Sequence, residues 1–235
     1  MKKNHVILNG IRSELIDGLL IQELPPIRKP LMRTQIEEID GRDGSIVTNL
    51  GYSAYEREML IGLYGEYDID QVIRFFNSSG TAIFSNEPDK VYHYKILDEI
   101  DFERLAHFRV ATVTFYVQPY KYSAVEDAIK SSTMPLYVVN SGNVPSKPKV
   151  TLTGTGTVTL FVNGTAVLAV ALGGIKRSIT IDAEEMDAYW NGLHLNRLVA
   201  GDYDDLTLNE GKNAITWYTE GSIDEVKVER YSRWV

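Results

Sequence analysis

Cysteine is absent from the 235 residues. That excludes disulfides, Cys-ligated zinc and thiol catalysis together, and it suits a protein made in a reducing cytosol. Basic runs are missing too: Lys and Arg never cluster beyond pairs, and the formal net charge is −8. Such a surface repels a phosphate backbone, so nucleic-acid binding is not expected. No stretch approaches the roughly 18–20 apolar residues that a membrane span needs. The N-terminus, MKKNHVILNGIRSEL, carries lysines but only a short apolar run. It reads as a strand, not a signal peptide, and export by the general secretory route is not expected. What is present, 44% hydrophobic and 24% charged residues, is the composition of a globular protein with its own core.

The first half alternates short apolar runs with turn signals. His5-Val6-Ile7-Leu8 leads into Asn9-Gly10, the dipeptide of a type I′ hairpin turn. Gly18-Leu19-Leu20-Ile21 is a further strand, stopped by Pro25-Pro26 and Pro30. Proline cannot donate to a ladder, so this segment should run along an edge or leave the sheet as an arm. GRDG at 41–44 punctuates two extended pieces and predicts a second hairpin. One helix stands out, over 68–76: Asp68 and Gln71 have the spacing of a capping box, and Ile69, Val72, Ile73 and Phe76 form a stripe. Asn77-Ser78-Ser79-Gly80 ends it. HFRVATVTFYV at 107–117 then alternates with bulk on both faces and reads as a central strand covered on each side.

From Gln118 to Pro135 the periodicity fades, and a linker is placed at about 123–134. Beyond it come short Thr/Val-rich strands with Gly and Asn turns, including Asn163-Gly164, the pattern of a β-sandwich or jelly roll. The expected fold is mainly β: an N-terminal β-rich domain with one helix (1–130) and a C-terminal sandwich (131–235).

The apparent motifs carry little chemistry. Gly154-x-Gly156 lacks the third glycine of a dinucleotide loop, and it leads into a strand where that loop needs a helix. A turn between two strands is the reading. Asp202, Asp204 and Asp205 lack the spacing of a calcium loop. Asp182, Glu184, Glu185 and Asp187 could serve a hydrolase only at a spatial separation the sequence does not give. His5, His93, His107 and His194 are scattered. Neither an enzyme nor a cofactor or metal site is expected. Trp190 and Trp217 would line a sugar groove if the C-terminal domain bound carbohydrate at a host surface, the alternative reading.

The ordered series of features resembles the distal tail proteins of long-tailed, non-contractile bacteriophages and related prophages. It comprises the opening strand with Asn9-Gly10, LPPIRKP (24–30), GRDG (41–44), DIDQVIRFF (68–76), SNEPDKVYHYKI (85–96) and FYVQPYKY (115–122). It continues with NSGNVPSKPKVTLTGTG, FVNG, SITID (178–182), GKNAITW and the closing RWV. The resemblance implies a galectin-like C-terminal sandwich. It also implies a structural role: a ring of six copies at the tip of the virion tail, assembled in the host cytoplasm. The implied partners are tail tube, tape-measure and tail-tip proteins, with receptor-binding proteins in some members. The C-terminal half has no room for an inserted carbohydrate-binding module. Leu24, Pro25, Pro26 and Ile27, with Arg42 and Asp43 of the GRDG turn, are the expected subunit contacts.

Overall fold

The computed structural model describes residues 3–77 and 79–235, so Met1, Lys2 and Ser78 lie outside the described residues. The chain is mainly β and forms two compact units, Met1–Ala124 and Val125–Trp234. The division, after Ala124, comes ahead of the expected one near 130: β9 (Val110–Ser123) carries the first unit only to the start of the expected linker. The next strand, β10 (Ile129–Ser131), already pairs within the second unit.

The first unit contains β1 (Val6–Leu8), β2 (Ile11–Arg12), β3 (Leu19–Glu23), β4 (Met32–Glu38), β5 (Ser45–Tyr52) and β6 (Tyr55–Leu63). Helix α1 (Ile69–Phe76), β7 (Ser79–Phe84), β8 (Lys90–Lys95), helix α2 (Phe102–Phe108) and β9 complete it. One antiparallel sheet runs in the order β2-β1-β7-β8-β9-β6-β3, and β4-β5 stands apart as its own two-stranded sheet. Asn9 (φ 49°) and Gly10 (φ 83°) both take the left-handed backbone that a type I′ turn demands, joining β1 to β2. As the prolines predict, β3 is an edge strand.

Asp68 caps α1, its carboxylate accepting from the N–H groups of Asp70 and Gln71. Gln71 does not complete the box; its side-chain oxygen accepts from Asp17 N (3.1 Å) and ties the helix to the loop before β3. The helix buries Val72 and Phe76 of the expected stripe and adds Phe75 to it, while Ile69 and Ile73 are half-exposed. The domain holds a second helix that the sequence reading missed. Asp101 caps α2 through Arg104 N (2.7 Å), and Arg109, in a left-handed conformation (φ 62°), turns the chain straight into β9. Phe108 and Arg109 thus precede the strand. β9 is an interior strand, as expected, and buries Ala111, Val113, Phe115 and Val117. Its other face is only half covered: Thr112 is exposed and Thr114 and Tyr116 are intermediate.

In the second unit β10 is followed by β11 (Leu136–Asn140), β12 (Lys149–Val162), β13 (Thr165–Asp182), β14 (Asp187–Trp190) and β15 (Leu193–His194). β16 (Val199–Gly201), β17 (Gly211–Thr219) and β18 (Ser222–Glu229) complete it. The long β12 and β13 belong to two layers. Their Lys149–Thr155 and Arg177–Asp182 ends pair with β18 and β14, and their Val158–Val162 and Leu168–Val170 ends pair with β17 and β16. The sheet therefore curls over a core built around Val150, Leu152, Leu160, Val170, Ile179 and Trp217, a sandwich-type arrangement.

Gly154 and Gly156 mark the fold of that curl. They do not form a turn between two strands, because β12 continues through them with its register shifted on either side of Gly156. Gly156 has φ 84°, and a Cβ there would stand 2.8 Å from Gly221 Cα at the tip of the β17–β18 hairpin. Bulges with glycine let a strand change layers without leaving the ladder. The turn that does join β12 to β13 is Asn163-Gly164, again type I′ (φ 52° and 85°).

Candidate functional site

The segment after β3 cannot extend the ladder, since Pro25 and Pro26 have no N–H. The chain instead leaves the sheet, runs to β4, turns, and returns on β5 into β6. The result is an arm. At its base Ser53 N donates to Leu31 O (2.8 Å), and along it Arg33 Nη2 donates to Leu50 O (2.9 Å). Its tip is the GRDG turn, where Gly41 and Gly44 take φ 79° and 80° and Arg42 N donates to Ile39 O (3.1 Å).

All seven residues of β4 are exposed, and in β5 only Ile46 and Tyr52 are even partly covered. Ile36 pairs with Val47, Thr34 with Asn49 and Glu38 with Ser45, so these six share one face. Ile36 is 62% and Val47 55% exposed, and Leu31 (73%) and Leu50 lie bare along the same hairpin. An isolated two-stranded hairpin is marginally stable in water, and its outer strand edges offer unpaired N–H and C=O groups. Bare apolar side chains beside open strand edges are what a surface that docks on another chain presents.

The expected contact residues divide between the two ends of this arm. Pro25 is buried and Leu24 half-buried at the root, while Pro26 and Ile27 are exposed there; Arg42 and Asp43 are exposed at the tip. Ile36 and Val47, between root and tip, were not singled out from the sequence. Their alternation with polar partners on a proline-bounded hairpin is the signal that marks them.

The acidic clusters are occupied structurally. Asp182 is buried, accepts from Glu184 N (3.1 Å) and Glu185 N (3.2 Å), and pairs with Lys149 (2.9 Å). Burial lowers the Lys149 pKa, but its bonds to Asp182 and Tyr189 outweigh that and raise it. Glu184 meets Arg233 at 3.1 Å, and Asp187 meets His194 at 2.7 Å. Asp202 caps a short turn through Asp204 N (2.9 Å), and Asp204 pairs with Lys147. Among the described residues no three His, Asp or Glu side chains form a group able to hold a metal ion. Trp217 is only 6% exposed in the core, so it cannot join Trp190 (39% exposed, at the end of β14) as a stacking platform for sugar.

Residues 16–117, which hold the arm and the strands that root it, match the family described as phage tail protein RIFT-related domain. The match lies within the first unit. The fold of the whole chain is similar to that of the phage SPP1 Dit (gp 19.1) protein, described as a paradigm of the hub adsorption apparatus in phages infecting Gram-positive hosts. The two share 19% identity at a TM-score of 0.70, over 98% of this chain and 100% of that one. A chain of the phage P2 baseplate in its activated conformation with Ca aligns over 100% of both chains, but at a TM-score of 0.49 and 11% identity it carries no weight. No curated protein matches. The resemblance to distal tail proteins read from the ordered motifs thus has independent support in the family match and the fold.

Proposed function

We propose that this protein is a structural, non-catalytic hub of a phage tail. Six copies close into a ring that joins the tail tube to tail-tip or baseplate proteins and to the host-adsorption machinery. The observation that carries this reading is the arm: a hairpin exposed on both faces, with Ile36, Val47 and Leu50 bare, projecting from a unit that matches the phage tail family. A closed ring needs heterologous contacts, in which one patch on each copy meets a different patch on the next. An arm meets that need directly, because it reaches a surface its own chain does not use. The function is then geometric: complementary surfaces tile around an axis and no bond is made or broken. Tape-measure and receptor-binding proteins would meet such a ring at the tail tip of the virion, after assembly in the host cell.

The test is native mass measurement with negative-stain imaging of the full chain. A six-subunit particle with an open centre is the expected result. A monomer throughout the micromolar range, with no ring on addition of tail tube protein, would overturn the ring.

A further inference from the structure

Arg57 is the largest side chain that the described residues bury completely, at 1% exposure. It lies on β6 in the inward alternation Arg57, Met59, Ile61, Leu63, where every other member is apolar. Its guanidinium carbon stands 4.7 Å from the Phe84 ring centre and 4.4 Å from that of Tyr92, both within cation–π range. Nη2 donates to Pro25 O (3.2 Å) and Pro26 O (3.3 Å) and lies 3.7 Å from Glu87 Oε2. Glu87 is held in turn by Lys121 (2.6 Å) and the Tyr92 hydroxyl. Burial and the bond to Glu87 raise the Tyr92 pKa, so the phenol stays protonated and donates. Asn86 Nδ2 adds a second donor to Pro25 O (2.9 Å). Arg57 Nε and Nη1 have no hydrogen-bond partner.

A buried cation with two idle donors is a costly way to fill a core, and an apolar side chain of similar volume would commonly serve stability as well. What an apolar chain could not do is hold two consecutive carbonyls. Pro25 and Pro26 begin the departing root of the arm; Arg57 sits near the start of β6, its returning root. One guanidinium therefore ties both roots together. Between them the arm is exposed on both faces, and the contact it does make with the main sheet, Tyr52 against Tyr120 of β9 (ring centres 6.1 Å apart), lies at its base. Its direction has to be set where it leaves the sheet.

We infer that Arg57 is the positioning residue of the arm, a buried clamp that fixes the angle at which residues 27–54 leave the sheet and so presents them ready for a neighbouring copy. This rests on the arm being the contact element of the proposed ring. Fixing that direction beforehand spares the ordering cost of assembly. The planar fork of Arg, which stacks and donates twice at once, suits the task in a way Lys does not.

The absence of cysteine allows the test to be made cleanly, with spin labels at Asp43→Cys on the arm tip and Lys95→Cys on β8. Diluting the labelled protein with unlabelled chain leaves only distances within one molecule, whether or not copies assemble. The parent should give a narrow distance distribution. Arg57→Met should broaden it several-fold while the far-UV spectrum is kept, and Arg57→Lys should fall between. Asn86→Ala, at an exposed residue that leaves the buried cation in place, should broaden it to a lesser degree and guards against a folding failure of Arg57→Met. Unchanged distributions in Arg57→Met, or in Asn86→Ala should the former not fold, would overturn the clamp. A broad distribution in the parent would do the same. A narrow parent distribution in a chain that never forms rings would instead retain the clamp and overturn the ring.

Discussion

Ile36 on β4 and Val47 on β5 stand directly opposite each other across the ladder of the arm, and both present more than half of their surface to solvent. Nothing among the described residues of the first unit covers them. Replacing both with Asp should abolish self-association, since like charges would then face each other on the surface that the proposed ring desolvates. The melting temperature of the monomer should move by no more than a few degrees, because substitutions at exposed sites usually fall within about 0.5 kcal/mol. Native mass and a thermal melt check the two halves. Intact rings in the double variant would move the contact off this face.

Gly156 and Gly221 approach so closely that neither tolerates a side chain, and Gly156 also needs a positive φ. Gly156→Ala should destabilise the second unit by about 1–3 kcal/mol through strain at that backbone conformation alone. Gly164→Ala provides the comparison, having a similar φ of 85° but nothing within 4 Å of the added carbon. The difference between the two midpoints in urea isolates the cost of the close approach. Equal losses would show that the corner of β12 has room to relax.

Asp68 accepts two backbone N–H groups at the start of α1. Asp68→Ala should cost about 1 kcal/mol. Gln71→Ala should add little to the helix itself and should instead speed amide exchange at Asp17, whose N–H it holds. Exchange measured residue by residue separates these outcomes.

Glu229 gives the second unit an acid-side dependence. Burial alone would raise its pKa from 4.5, but the bonds from Lys227 and Tyr231 outweigh that and lower it. A carboxylate with a depressed folded-state pKa adds stability that is present above the unfolded value and lost as pH falls through the folded one. The wild type should therefore lose more stability than Glu229→Gln as pH is taken from 7 down below about 4. Parallel acid profiles for the two proteins would contradict the assignment.

Local rules made much of this fold legible. Asn9-Gly10 and Asn163-Gly164 demand φ > 0 at both positions and so announce hairpins, Asp68 announces a helix, and Pro25-Pro26 announce a departure from the sheet. What stayed hidden depends on partners far along the chain. Helix α2 is seven residues long and stops at Arg109 with no glycine, so its last residues read as the start of β9. Gly154 and Gly156 look like a turn until β18 and β13 are seen to pair through them. Arg57 lies between Glu56 and Glu58 and reads as part of a solvated charged run; only its alternation with Met59 and Ile61 hints that it points inward. Its carbonyl partners are 31 and 32 residues away.

The claim that the arm joins copies is tested most directly by placing a photoreactive benzophenone on Ile36→Cys, a unique thiol in a chain without cysteine. Illumination of the assembled protein should give a ladder of cross-linked chains ending at the hexamer, and the same label at Lys95→Cys should give none. Cross-links confined to single chains, at concentrations where mass measurement shows rings, would contradict the account.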